Sequence, residues 1–358
     1  MFKRNDLLKK MEIENMDGFM VTGSWNSRYL TGLPESSDVL LFTKDSNMLI
    51  TDYRYTEQAR EQTDYDVILH AGHTGHQGKI FNEVAKQVND LGIKRLGFEQ
   101  RHVCFGDYQK ISALMQAELI PTYDFVEDIR MVKTASELEL LRVASQITDD
   151  AYVHVLNHMA PGMKESELSS ELERYIEAQG GNTTGFPPIV ASGIRSSLPH
   201  GRATDKVMKQ GEMVTIDFGA NYQGYWSDIS RTVSLGEPDS HIKEVQEIVL
   251  HSFQHCVQRI RAGLTDQEVD RLMREHIIEK GYNDLSGTGT GHGIGLEVHE
   301  KPLFSVMEEK KLKPNMTVTV EPGIYLPGKG GARVEDVLLI KEDGCETLTP
   351  STKELVIL

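Results

Sequence analysis

The run Val214-Thr215-Ile216-Asp217-Phe218-Gly219 returns further along the chain as Val318-Thr319-Val320-Glu321-Pro322-Gly323. Each is a short apolar stretch suited to a buried strand, and each carries one acid near its end. Burying an ionised carboxylate is costly unless it is paired or bound to a metal. One such acid reads as a cap or turn residue. Two at matching places in a repeat read as halves of one site.

The repeat extends outward in both directions. Ser227-Asp228-Ile229 resembles Val334-Glu335-Asp336, so a second acid follows the first by 11 residues in one copy and 14 in the other. Upstream, Pro199-His200-Gly201 has a looser counterpart in Val298-His299-Glu300. A shift of 101 residues carries Leu141, Ala144, Ile147, Tyr152 and Val155 onto Ile242, Val245, Ile248, Phe253 and Cys256. The same shift carries Gly162, Glu167, Leu168, Leu172, Ile176 and Gly180 onto Gly263, Glu268, Val269, Met273, Ile277 and Gly281. Apolar residues at three-to-four spacing make each copy two amphipathic helices, the second ending at a glycine. The C-terminal part therefore reads as two similar halves related by a pseudo-twofold axis, and residues that correspond across such an axis converge on it.

Ahead of the repeat, Gly18-Phe19-Met20-Val21, Val39-Leu40-Leu41-Phe42, Met48-Leu49-Ile50 and Arg95-Leu96-Gly97-Phe98 read as strands, with a helix near Lys79 to Leu91. Leu119 to Val132 reads as a connector. Thr134-Ala135-Ser136-Glu137 is a capping box that starts the next helix. These patterns predict an α/β (α+β) protein with domains at 1–130 and 131–358.

Asp217, Asp228, Glu321 and Glu335 supply four carboxylates. His292, in Gly287-Thr288-Gly289-Thr290-Gly291-His292-Gly293-Ile294-Gly295, supplies an imidazole. Flanking glycines let backbone approach a metal or substrate closely. The run does not fit G-x-G-x-x-G and no G-K-S/T follows it, so phosphate binding is poorly supported. His299-Glu300 lacks the second histidine of H-E-x-x-H, and no G-x-S-x-G is present. A set of four carboxylates and one imidazole is hard and oxygen-rich, which suits manganese or another first-row divalent ion. It suffices for two ions if some acids bridge. Such ions lower the pKa of water towards ~7 and polarise a scissile carbonyl.

The bulk composition excludes other classes. The 358 residues carry a net charge of -16, with no basic footprint for nucleic acid. No apolar run approaches the ~18 residues of a membrane span, and MFKRNDLLKKMEIEN is too charged for a secretory signal. A cytoplasmic location is expected. Cys104, Cys256 and Cys345 form no C-x-x-C pattern, so neither a disulfide framework nor a thiolate metal site is expected.

Together these motifs resemble the pita-bread metallopeptidases: aminopeptidase P, prolidase and methionine aminopeptidase, with creatinase as a metal-free relative. The resemblance rests on Thr215-Ile216-Asp217-Phe218-Gly219-Ala220, on Tyr225 to Thr232, on Gly289 to His299, on Val320 to Tyr325 and on Ala332 to Asp336. Asn26-Ser27-Arg28-Tyr29-Leu30-Thr31-Gly32 resembles the creatinase-like N-terminal domain, which methionine aminopeptidases typically lack. Creatinase itself lacks the acidic ligand set.

The resemblance implies that Asp217 and Asp228 bind one ion, that His292 and Glu321 bind the other, and that Asp228 and Glu335 bridge. Glu321 would also act as general base. His200 and His299 would contact the substrate and stabilise the tetrahedral intermediate, while Arg333 would orient the ligands or the substrate. The cofactor would be two divalent ions, Mn²⁺ in the first place, with Co²⁺ or Zn²⁺ as alternatives. The substrates would be short proline-containing peptides, and the partner a second or further copy of the chain. The expected function is an Xaa-Pro aminopeptidase. An Xaa-Pro dipeptidase (prolidase) is the alternative, and a non-catalytic peptide-binding homologue is a third reading.

Overall fold

The computed structural model describes residues 2–34, 38–70, 77–182, 186–282, 289–305 and 309–358. Gly287 and Thr288 of the glycine-rich run lie outside the described residues. The chain forms two compact units, Met1–Arg130 and Met131–Leu358. Among the described residues no helix is long and apolar enough to cross a membrane.

The first unit is built on a six-stranded sheet. Its strands are β1 (Gly18–Val21), β2 (Asp38–Thr43), β3 (Asn47–Thr51), β4 (Asp66–Leu69), β5 (Arg95–Glu99) and β6 (Glu118–Thr122), in the order β4-β3-β2-β1-β5-β6. Strands β1, β2 and β3 pair antiparallel, while β3/β4, β1/β5 and β5/β6 pair parallel. Every residue of β1 is buried, as expected for a strand covered on both faces, which reads as an unbroken apolar run. Among the described residues six helices accompany the sheet: α1 (Phe2–Ile13), α2 (Ser24–Thr31), α3 (Thr56–Gln62), α4 (Gln77–Asp90), α5 (Phe105–Leu114) and α6 (Glu127–Arg130). Met20, Leu41, Ile50, Val84, Val88 and Leu96 pack together as its core.

The connector expected from Leu119 to Val132 is a correction. The segment holds the edge strand β6 and the short helix α6. Pro121 obscures the strand in the sequence, but at an edge its missing N–H costs no ladder bond.

The second unit opens with α7 (Ala135–Leu156) and α8 (Glu165–Ala178), and its later part with α9 (Ser240–Val257) and α10 (Asp266–Glu279). All the repeated apolar positions on these helices are buried. The repeated glutamates also have a purpose. Glu167 accepts the Lys164 N–H at 2.9 Å and Glu268 the Thr265 N–H at 2.8 Å, so each closes the first turn of its helix. The capping box at Thr134 and Glu137 is present.

Behind α7 and α8 lie β7 (Ile189–Ser192), β8 (Met213–Phe218), the hairpin β9 (Asn221–Tyr222) and β10 (Tyr225–Trp226), and β11 (Ile229–Ser234). Strand β8 is central in the sheet β11-β8-β7. The second half places β12 (Gly291–Gly293), β13 (Glu300–Phe304), β14 (Thr317–Val320), the hairpin β15 (Gly323–Leu326) and β16 (Gly330–Arg333), β17 (Asp336–Ile340) and β18 (Cys345–Thr347). Here β14 lies between β12 and β17, as β8 lies between its neighbours. Each half has its own apolar core, Val214, Ile216 and Ile229 in the first and Val318, Val320 and Leu338 in the second.

The two sheets meet at Ser230 and Glu335, where the Glu335 N–H donates to the Ser230 carbonyl at 3.0 Å. Beside this junction Arg231 is only 2% exposed. Its guanidinium donates to Asp336 at 2.7 Å and to the carbonyls of Ser230, Ser351 and Thr352 at 3.0, 3.1 and 2.9 Å. Removing one partner of a buried ion pair costs about 3–5 kcal/mol. Arg231→Met is therefore expected to lower unfolding stability by about that amount in a denaturant melt. A loss under ~1 kcal/mol, the range of an exposed pair, contradicts this role.

Candidate metal centre

Asp217 lies on β8 opposite Ser230 of β11, and Asp228 immediately precedes β11. The turn that brings the two acids onto one wall is very tight. A Cβ on Gly219 would stand 1.8 Å from the Ser227 carbonyl oxygen, so only glycine fits there. In the other half, Glu321 follows β14 directly and Glu335 precedes β17. His292 sits on β12. The glycine before it, Gly291, has φ +158, and a Cβ there would lie 2.2 Å from the Thr319 carbonyl oxygen.

Carboxylate oxygens of Asp228 and Glu335 and a ring nitrogen of His292 all lie within 4.8 Å of one another, and all three residues are buried. The His292 Nε2 stands 3.5 Å from Glu321 Oε1 and 4.0 Å from Asp228 Oδ2. Its Nδ1 faces the Gly293 carbonyl at 2.9 Å. A carbonyl only accepts, so the proton sits on Nδ1 and leaves Nε2 with a free lone pair that could hold a cation. Burial lowers the His292 pKa, which also favours the neutral ring.

Asp217 is engaged differently. Its Oδ2 accepts from the Arg333 Nη2. Arg333 also donates to Ser230 Oγ at 2.6 Å, to Tyr325 Oη at 2.7 Å and to the Pro199 carbonyl at 3.1 Å. Ser230 Oγ in turn donates to Glu335 Oε2 at 2.8 Å. One guanidinium thus ties an acid of each half and the residue before His200. Burial works against its charge, but Tyr325, Asp217 and Glu335 outweigh it and raise the Arg333 pKa. His299 is exposed and its ring centroid lies 4.4 Å from that of His292. His200 is exposed, and the structure gives its side chain no hydrogen bond among the described residues.

Residues 139–342 match the model of metallopeptidase family M24, and residues 3–132 match the creatinase/prolidase N-terminal domain. The chain belongs to metallopeptidase family M24. Three relatives span it. The Xaa-Pro dipeptidase of Bacillus anthracis has a solved structure with a TM-score of 0.95 at 45% identity, covering 100% of this chain and 99% of that one. The X-Pro aminopeptidase of Thermotoga maritima has a TM-score of 0.86 at 38% identity, covering 96% and 98%. The Xaa-Pro dipeptidase of Pyrococcus horikoshii is 34% identical over 99% of this chain and 98% of its own. The fold is accordingly an N-terminal creatinase-like α/β domain and a C-terminal pita-bread domain.

In this M24 metallopeptidase the clustered side chains fit a divalent cation. Asp228 Oδ1 and Glu335 Oε1 are buried and have no hydrogen-bond partner among the described residues. Orphaned buried carboxylate oxygens are costly unless a cation neutralises them. Burial, then Glu335 and Asp217, push the Asp228 pKa well up. Burial, then Glu321 and Asp217, do the same to Glu335. Glu321 rises to about 7, chiefly through burial, with Arg333 pulling it back.

These shifts fix a sign. Without metal, the folded acids hold protons that the unfolded chain has released above its ordinary carboxylate range near ~4. The folded state then binds more protons, so stability falls as pH rises from about 5 through about 7. The gain in melting temperature on adding divalent metal is expected to grow from pH 5 to 7.5. A gain that stays flat or shrinks over that window contradicts the assignment of these acids as ligands.

Two participants lie inside the motifs that carry the family resemblance, but the sequence assigns them no role. Ser230 and Tyr325 matter through bonds to Arg333, which lies far from Ser230 along the chain.

Proposed function

We propose that this chain is a two-metal Xaa-Pro dipeptidase, with residues 1–130 as the creatinase-like domain and 131–358 as the catalytic domain. The observation that carries the reading is the whole-chain likeness to the Bacillus anthracis Xaa-Pro dipeptidase, at a TM-score of 0.95 and 45% identity. It moves the dipeptidase ahead of the aminopeptidase that the sequence reading put first. The Thermotoga maritima aminopeptidase, at 38% identity, keeps that second reading in play.

Asp217, Asp228, His292, Glu321 and Glu335 would hold two divalent ions, with Mn²⁺ favoured by the oxygen-rich set. When bound, the ions lower the pKa of water and polarise the scissile carbonyl. Glu321 takes the proton of the attacking water. His299, beside His292, and His200 contact the substrate and steady the developing oxyanion. Arg333 keeps the Asp217 carboxylate and Ser230 in place. Proline in the substrate forms a tertiary amide with no N–H, so the site must act without that donor.

Initial rates on an Xaa-Pro dipeptide and an Xaa-Pro-Yaa tripeptide separate the two readings. Cleavage of the dipeptide with negligible cleavage of the tripeptide is expected. Preferential release of Xaa from the tripeptide identifies an aminopeptidase instead.

A further inference from the structure

On the outer face of the first helix pair, His154 lies in the last turn of α7, His158 follows four residues on in the turn just beyond it, and Glu171 faces them from α8. A ligand atom from each lies within 4.8 Å of the other two. The His154 Nε2 meets Glu171 Oε1 at 2.5 Å, and the two imidazole centroids are 4.0 Å apart. The His158 Nδ1 faces the His154 carbonyl at 2.8 Å, which puts the proton on Nδ1 and leaves Nε2 as an open lone pair. Histidines that ligate metals usually have their other nitrogen held in this way. Tyr175 stacks on the His154 ring at 4.2 Å and fixes its plane. The group also sits at the negative end of a 22-residue helix, where a cation is favoured.

The repeat offers an internal control. The shift of 101 residues carries His154 onto His255, but His158 onto Arg259 and Glu171 onto Leu272. In that half His255 Nδ1 simply bonds to the Leu272 carbonyl at 2.8 Å. Packing two helices in this architecture therefore needs neither the second imidazole nor the carboxylate.

We propose that His154, His158 and Glu171 form a second, separate metal site, selective for zinc over manganese. Two imidazoles and one carboxylate are a common zinc ligand set, leaving a fourth position open. A nitrogen-rich set also ranks zinc above manganese, opposite in character to the carboxylate-rich centre. The cation replaces the proton that His154 and Glu171 share. It thereby staples α7 to α8.

The test is zinc uptake by the full chain at a fixed manganese load, with both metals counted per chain after equilibrium dialysis. Wild type is expected to bind one zinc more than either His158→Ala or Glu171→Gln, with manganese content and far-UV circular dichroism the same in all three. His158 is exposed and Glu171 partly so, and the circular dichroism shows whether each variant is folded. With Cu²⁺ as the probe, wild type is expected to show nitrogen hyperfine coupling that His158→Ala weakens. Equal zinc uptake by wild type and both variants overturns the site. So does a wild type that takes up zinc only in exchange for manganese.

Discussion

Glu321→Gln is expected to lower turnover of an Xaa-Pro dipeptide by about 10²–10⁴-fold, the usual contribution of a general base. The geometry gives the reason. Glu321 is anchored by its backbone, whose N–H donates to the Thr290 carbonyl at 2.9 Å. Its side chain remains a quarter exposed, the most open of the acids around His292. A base works best when its pKa lies near the working pH; without metal, burial pushes Glu321 up to about 7. The amide keeps the shape and one acceptor oxygen but takes no proton. Folding and melting temperature of the metal-free protein should change little, because a half-buried charge is removed rather than stranded, and turnover is compared at saturating metal. Turnover within about threefold of wild type, in a folded and metal-loaded variant, removes Glu321 from the role of base, since that is far short of the expected range.

Asp228→Asn is expected to act on metal occupancy instead. Asp228 is 4% exposed, and its orphan Oδ1 lies among groups that raise its pKa. Asparagine removes the charge that repels Glu335 and Asp217, so the metal-free variant should be as stable as wild type or more so. It also removes one of the proposed anionic ligands. A ligand present at a hundredfold its Kd stabilises a protein by ~2.7 kcal/mol, and a hundredfold weaker site loses most of that gain. The expected result is a variant whose melting temperature barely responds to Mn²⁺, with fewer than two ions retained per chain after dialysis. Full metal content with normal turnover contradicts the ligand role of Asp228.

How far the sequence could be read depended on whether a feature was local or periodic. The helix pairs α7/α8 and α9/α10 were legible because their apolar spacing repeats in register, and because glycines 180 and 281 terminate both copies with left-handed φ values of 84 and 88. Asp217 and Glu321 stood out as acids in apolar runs. Strand β6 was not legible, since Pro121 breaks the usual strand signal and only pairing with β5 makes it a strand. The engagement of Asp217 by Arg333 was also hidden, because a bond between residues so far apart leaves no local pattern. Asn26 drew attention only through a motif. The fold shows its Nδ2 donating to Glu99 at 2.6 Å and to Glu127 at 2.8 Å, which satisfies the buried amide nitrogen at the start of α2. His102 shares Glu127 at 3.0 Å. Burial alone would raise Glu127, yet the bonds from His102 and Asn26 hold it at about 2.

The central claim is that the acids and the imidazole around Asp228 and Glu335 hold the metal on which peptide cleavage depends. It is tested most directly by titrating Mn²⁺ into chelator-stripped protein while following Xaa-Pro dipeptide turnover. The account predicts negligible turnover in the stripped protein and full recovery, saturating as two ions bind per chain. Undiminished turnover by protein shown to carry no metal would contradict it.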